Sequence, residues 1–162
     1  MPAESSRFMR RWWIDEATVL AGSNPNDGDL SALRAEGFGM AVSLLDASQQ
    51  RPNFDPGSAA GRGWMLYTIP IDQRAAAPTL VQACEFAALL GAVSNVTKSL
   101  VFCSDDVGRP AFMGAVYWIA KGIPVSAAMA RVTLSARVDI TWHESSEEVL
   151  RSFGKLGWRI RS

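Results

Sequence analysis

Residues 110–121 are apolar nearly all round. A helix without a polar face has no side to turn toward water, so this stretch marks a helix buried at the centre of a domain, with Gly122 suited to its C-terminus. The 162 residues, 48% apolar and 20% charged, are enough to build one domain around it and exclude wholesale disorder.

Short apolar runs alternate with helical patterns along the rest of the chain. Residues 17–21 (ATVLA) read as a strand closed by Gly22, and the turn signal at residues 24–28 (NPNDG) leads into a helix over residues 30–36, stopped by Gly37. Residues 40–45 (MAVSLL), 65–71 (MLYTIPI) and 99–103 (SLVFC) are further strands of the kind buried in a sheet. Residues 46–63 form one long loop. Thr79 and Gln82 fit a capping box ahead of Ala83, Phe86, Ala87 and Leu90 at helical spacing, and Ser145 and Glu148 fit a second one before Val149, Leu150 and Phe153. Val125, Ala128, Met129 and Val132 stripe another helix. The alternation predicts an α/β fold: a single domain with a mainly parallel central sheet of about four to five strands flanked by helices.

Charge and composition exclude several function classes. Sixteen basic and sixteen acidic residues cancel, which gives no field for nucleic acid or an anionic membrane. The longest apolar stretch, residues 111–120, is about half a membrane span. Arg7, Arg10 and Arg11 have no apolar run behind them, so no secretory signal is visible. Cys84 and Cys103 cannot make a disulfide framework, and with the lone His143 they do not make a zinc site. The expectation is a cytoplasmic protein without metal or cofactor.

The chemistry concentrates in residues 103–109 (CSDDVGR), between a buried strand and the buried helix. Ligands of α/β sheets bind beyond the carboxyl ends of strands. A tight loop there turns successive N–H groups inward, and the following helix adds its positive end, which makes an anion cradle from Ser104, Asp105, Asp106, Val107, Gly108 and Arg109. Cys103 at its start is expected to be a thiolate. Arg109, six positions on, can fold back and hold two phosphate oxygens with its planar fork. Such a thiolate is set up to attack phosphorus. A leaving alkoxide or phenoxide then needs a proton, and Asp72, after Ile69-Pro70-Ile71 and 31 residues before Cys103, is the candidate donor. The bland readings are a buried strand-end cysteine with a surface arginine, and an aspartate that caps a turn.

The chain resembles the cysteine-dependent protein tyrosine and dual-specificity phosphatases, in particular their small atypical, prokaryotic-type members. The resemblance runs through Trp13-Ile14, residues 19–23 (VLAGS), Asp29-Leu30, Leu33-Arg34, Gly37, residues 42–45 (VSLL), Ile69 to Asp72, Pro78-Thr79, Cys103 to Arg109 and residues 147–151 (EEVLR). It covers residues 12–153 in order, nearly all of a single domain over 1–162. It implies that Cys103 becomes a phosphocysteine and that Arg109 binds phosphoryl oxygens together with the amides of residues 104–109. It also implies that Asp72 is general acid and then general base. The substrates implied are phosphotyrosine, phosphoserine or phosphothreonine in proteins, small aryl phosphates, and phosphate-like oxyanions as ligands. Arg51, Phe54 and Arg62 are candidate substrate contacts.

Three positions depart from the family's loop, where His precedes the cysteine, Gly stands three after it and Ser or Thr follows the arginine. This chain has Phe102, Asp106 and Pro110. Phe102 removes a polar neighbour of the cysteine. A carboxylate at Asp106 about 5 Å from a phosphate is expected to repel it by about 3 kcal/mol at an effective dielectric near 20. Pro110 suits a helix start but deletes a hydroxyl that assists departure of the thiolate. Two other readings stay open: a pseudophosphatase that binds phosphoproteins or proteins, and a rhodanese-like sulfurtransferase. The second is disfavoured because that family does not call for the Ile69 to Asp72 stretch. Cys84, His143 and the six tryptophans read as packing or surface residues.

Overall fold

The computed structural model describes residues 9–93, 95–104 and 106–160. Five strands, β1 (Arg11–Asp15), β2 (Val19–Gly22), β3 (Phe38–Ser43), β4 (Met65–Thr68) and β5 (Lys98–Phe102), form one sheet in the order β1-β2-β5-β3-β4. Only the β1–β2 pair is antiparallel. β2 and β3 are buried along their whole length and β5 over all but its first residue. That explains why their sequences read as unbroken apolar runs rather than as alternation.

Among the described residues six helices flank the sheet: α1 (Asp27–Ala35), α2 (Pro56–Gly61), α3 (Leu80–Val93), α4 (Gly108–Ala120), α5 (Val125–Ala136) and α6 (Glu144–Lys155). α4 is the helix without a polar face. It packs against α3, α5 and α6 and lies on β2, and ten of its thirteen residues are buried. Gly114 lets it approach closely, because a Cβ there would stand 3.2 Å from both Ile14 Cγ1 and Val132 Cγ2. Among the described residues, no helix is long and apolar enough to cross a membrane.

The Thr79–Gln82 capping box forms as expected, with Thr79 N–H donating to Gln82 Oε1 at 2.8 Å and Gln82 N–H to Thr79 Oγ1 at 3.1 Å. Other elements shift. β2 begins at Val19 because Ala17, at φ 67°, belongs to the turn that follows β1. β1 itself (RWWID) has no clean alternation to reveal it, since Trp12 and Trp13 are both half-buried. β3 starts at Phe38, and β4 stops at Thr68, before Ile69-Pro70. Within residues 46–63 lies α2, started by Asp55 accepting from Gly57 N–H and by Pro56 in the first turn. The Ser145–Glu148 box does not form: α6 opens two residues earlier, with His143 at its N-cap and no side-chain cap bond, and Ser146 is buried instead.

Candidate active site

β5 is the middle strand of the sheet, and its carboxyl end delivers Cys103 to the centre of that edge. Cys103 N–H donates to the Gly22 carbonyl at 3.3 Å, and the Phe102 carbonyl accepts from Leu44 N–H at 2.9 Å, so neighbouring strands fix the cysteine from both sides. Cys103 as a residue is only 1% exposed. The loop through Ser104, Asp106 and Val107 then leads directly into α4; Asp105 lies outside the described residues.

Arg109 is the second residue of α4, and its guanidinium folds back across the loop. Nη1 lies 3.9 Å from Cys103 Sγ and donates to Asp106 Oδ2 at 2.6 Å, while Nη2 donates to the Gln73 carbonyl at 2.9 Å. The other Asp106 oxygen accepts from Gly108 N–H at 2.8 Å. The cysteine and arginine are thus together, and Asp106 is paired with the arginine. This changes the expectation for Asp106. Its carboxylate is held by Gly108 N–H and the Arg109 guanidinium, where the sequence suggested an unpaired charge repelling phosphate.

Asp72 sits on the loop between β4 and α3, next to Gln73, but its carboxylate is turned to other partners. It accepts from Arg74 N–H and Gln49 Nε2, both at 2.8 Å, and from Arg74 Nε at 3.2 Å. The Arg74 amide, the Gln49 side chain and the Arg74 guanidinium, in that order, hold its carboxyl down at about 2. Because the folded value lies below the unfolded one, this contributes stability that is complete above about 4 and is lost as pH falls toward 2. In the Gln49→Ala/Arg74→Ala double variant, carboxyl NMR is expected to show the Asp72 midpoint risen only part of the way to the ordinary carboxylate range, because the amide of residue 74, the largest cause, is kept. A midpoint unmoved from wild type would mean that the two side chains contribute nothing.

A cleft of ≈ 430 Å³ opens beside Arg109, walled by Ile71, Gln73 and residues 75–78 on one side and by residues 139–143 on the other, with Phe112 and Asp106 to Arg109 between them. Nothing in the sequence marks the second wall: Trp142 and His143 read as packing or surface residues, and Asp139 and Thr141 carry no motif. Trp142 Nε1 donates to Thr133 Oγ1 at 3.0 Å, which anchors that segment to α5. The one available signal was an aromatic–histidine pair placed just ahead of a helix. Ser104 instead lines a second cleft of ≈ 670 Å³ on the other side of Asp106, together with Arg10, Arg11, Ser23, Val107 and Pro110. Asp72 lines neither cleft.

Two of the candidate substrate contacts are structural. Phe54 is buried at 6% exposure and packs edge-on against Phe102, centroids 5.8 Å apart. Arg62 is tied to α1, donating to Ser31 Oγ at 2.8 Å and Asp27 Oδ1 at 3.1 Å. Arg51 is exposed, and its carbonyl accepts from Asn24 Nδ2. Phe102, where the family has His, is therefore part of an aromatic pair in the core. Pro110 is in the first turn of α4, where no helical bond needs its missing N–H. Cys84 is partly buried against the core, and both cysteines are free. Among the described residues, no group of three or more His, Cys, Asp or Glu side chains is placed to hold a metal ion.

No protein-family model matches the sequence, and no curated protein matches it. Solved structures do match. Tk-PTP in its active form superposes with a TM-score of 0.76 at 21% identity, over 90% of this chain and 96% of that one. PTPMT1 in complex with PI(5)P gives 0.78 at 19% identity, over 92% and 96%. Human DUSP28 gives 0.71 at 17% identity, over 90% and 93%. Superposing over nine-tenths of its length on these structures, the chain has the fold of the protein tyrosine and dual-specificity phosphatases.

Proposed function

We propose that the chain is a phosphomonoester hydrolase working through a phosphocysteine on Cys103, with phosphotyrosine-type or small aryl phosphates as its best substrates. Phosphoserine and phosphothreonine are the weaker ones. The observation that carries this reading is Arg109 Nη1 at 3.9 Å from Cys103 Sγ, at the joint between the central strand and the helix N-terminus. In the first step the Cys103 thiolate attacks phosphorus, the P–O bond to the leaving group breaks, and the leaving oxygen takes a proton. In the second, water attacks phosphorus and gives a proton to the Asp72 carboxylate, the S–P bond breaks, Cys103 leaves as thiolate and phosphate departs. Arg109 neutralises charge that grows on the phosphoryl oxygens.

Asp72 supplies the proton in this reading. With its carboxyl held at about 2, Asp72 is ionised at neutral pH. Substrate must therefore draw Asp72 away from Gln49 and Arg74 before it can donate. Leaving groups that depart unaided bypass that requirement. The apolar wall of Phe112, Trp142 and Ile140 beside Arg109 suits an aromatic ring on the ester. PTPMT1 was solved with PI(5)P; a carboxylate in the loop here disfavours a multiply phosphorylated headgroup. The pseudophosphatase reading draws on the buried thiol and on Asp106 seated on Arg109.

The test is hydrolysis of a series of aryl phosphates by wild type, Cys103→Ser and Asp72→Asn. Cys103→Ser is expected to abolish turnover. Asp72→Asn is expected to slow poor leaving groups by 10²–10³-fold and good ones far less. No turnover by wild type, with phosphate still bound, would establish the pseudophosphatase reading instead.

A further inference from the structure

We propose that Asp106 is an internal competitor for the phosphoryl site and so sets its affinity. The inference rests on the reading of residues 103–109 as a phosphoryl cradle. A phosphoryl group needs the guanidinium of Arg109 and the free amides at the start of α4. Pro110 has no N–H, so Gly108 and Arg109 supply the free amides of that first turn. Asp106 already takes Gly108 N–H at 2.8 Å and Arg109 Nη1 at 2.6 Å. Two carboxylate oxygens thus stand on the donors that two phosphoryl oxygens require, in the charge-assisted geometry that makes such bonds strong.

The contact can open. The Asp106 side chain is 39% exposed, against 16% for Arg109, and it stands on the rim shared by the two clefts. Ligand binding is then an exchange: one carboxylate leaves the cradle as the phosphoryl group enters. A loop with glycine at this position binds without that exchange. The position therefore governs which anions are strong enough to enter, favouring a dianionic phosphoryl group over a monoanion such as a carboxylate.

The bland alternative is that Asp106 only holds the turn ahead of α4 through Gly108 N–H. Asn makes the same bond to the backbone two residues on as Asp does. Asp106→Asn therefore keeps the turn and removes only the charge on Arg109, which separates the two roles. Titration calorimetry with inorganic phosphate on the full chain, at fixed salt, reads the difference. Asp106→Asn is expected to bind phosphate about ten- to a hundredfold more tightly than wild type, with an unchanged urea midpoint. Affinity equal within twofold, with binding still lost in Arg109→Lys, overturns the competitor and leaves the phosphoryl site standing. No binding by wild type or by a folded Asp106→Asn overturns the phosphoryl reading itself. If the variant does not fold, the Asp106 carboxyl resonance of wild type decides: it must shift as phosphate saturates the protein, and a stationary signal with phosphate bound overturns the competitor.

Discussion

Arg109→Lys is expected to lower kcat/KM for aryl phosphates by about 10²–10³-fold. Lysine keeps the charge but loses the fork. Arg109 uses two separate nitrogens, Nη1 toward Asp106 and the Cys103 sulfur and Nη2 toward the Gln73 carbonyl. One ammonium cannot hold both directions, so the loss falls on the alignment of the phosphoryl group and on the tie to the 72–78 loop. Most of it should appear in kcat, because the charge growing in the transition state is what the fork is shaped to meet. The urea midpoint guards against misfolding as the cause. A decrease below threefold in a folded variant would remove Arg109 from the machinery.

The second large effect is on stability. Phe102→Ala is expected to destabilise the fold by about 3–5 kcal/mol, the range for a large aromatic deleted from a core that cannot collapse around the gap. Phe102 is 1% exposed at the end of the central strand and meets the Phe54 ring edge-on at 71°. Phe102→His, which restores the residue usual in this fold's loop, is expected to cost about 1–3 kcal/mol, because an imidazole there is buried against Phe54. Urea unfolding of both variants measures this. A stable Phe102→His would mean that the position still accommodates a polar ring, and that the aromatic pair is not what fills it.

These two residues also mark how far the sequence could be read. The spacing from Cys103 to Arg109 was legible because the loop is short and both its ends are fixed by neighbours in sequence, one a buried strand and the other a helix start. α4 was legible because a helix without a polar face has only one kind of place to be. The Thr79–Gln82 cap is local as well, three residues apart. What escaped was decided by distant partners. Asp72 is turned aside by Gln49, 23 positions away. Phe54 belongs to Phe102 across the fold, and Arg62 to Asp27. Residues 139–143 reach the cleft only because α5 and α6 pack around α4. Asp106 is a different case: its partner is three residues away, yet the rotamer that seats it on Arg109 has no signature in composition or period. The sequence placed a charge there and left its direction open.

Turnover through Cys103 requires a covalent bond between its sulfur and phosphorus. Rapid acid quenching of the protein with a ³²P-labelled aryl phosphate, followed by peptide mapping, tests it most directly. The expected result is labelled phosphocysteine on the peptide that carries Cys103, formed with the burst of leaving group and lost in Cys103→Ser. Turnover that persists in Cys103→Ser, or label recovered on any other residue, would contradict it.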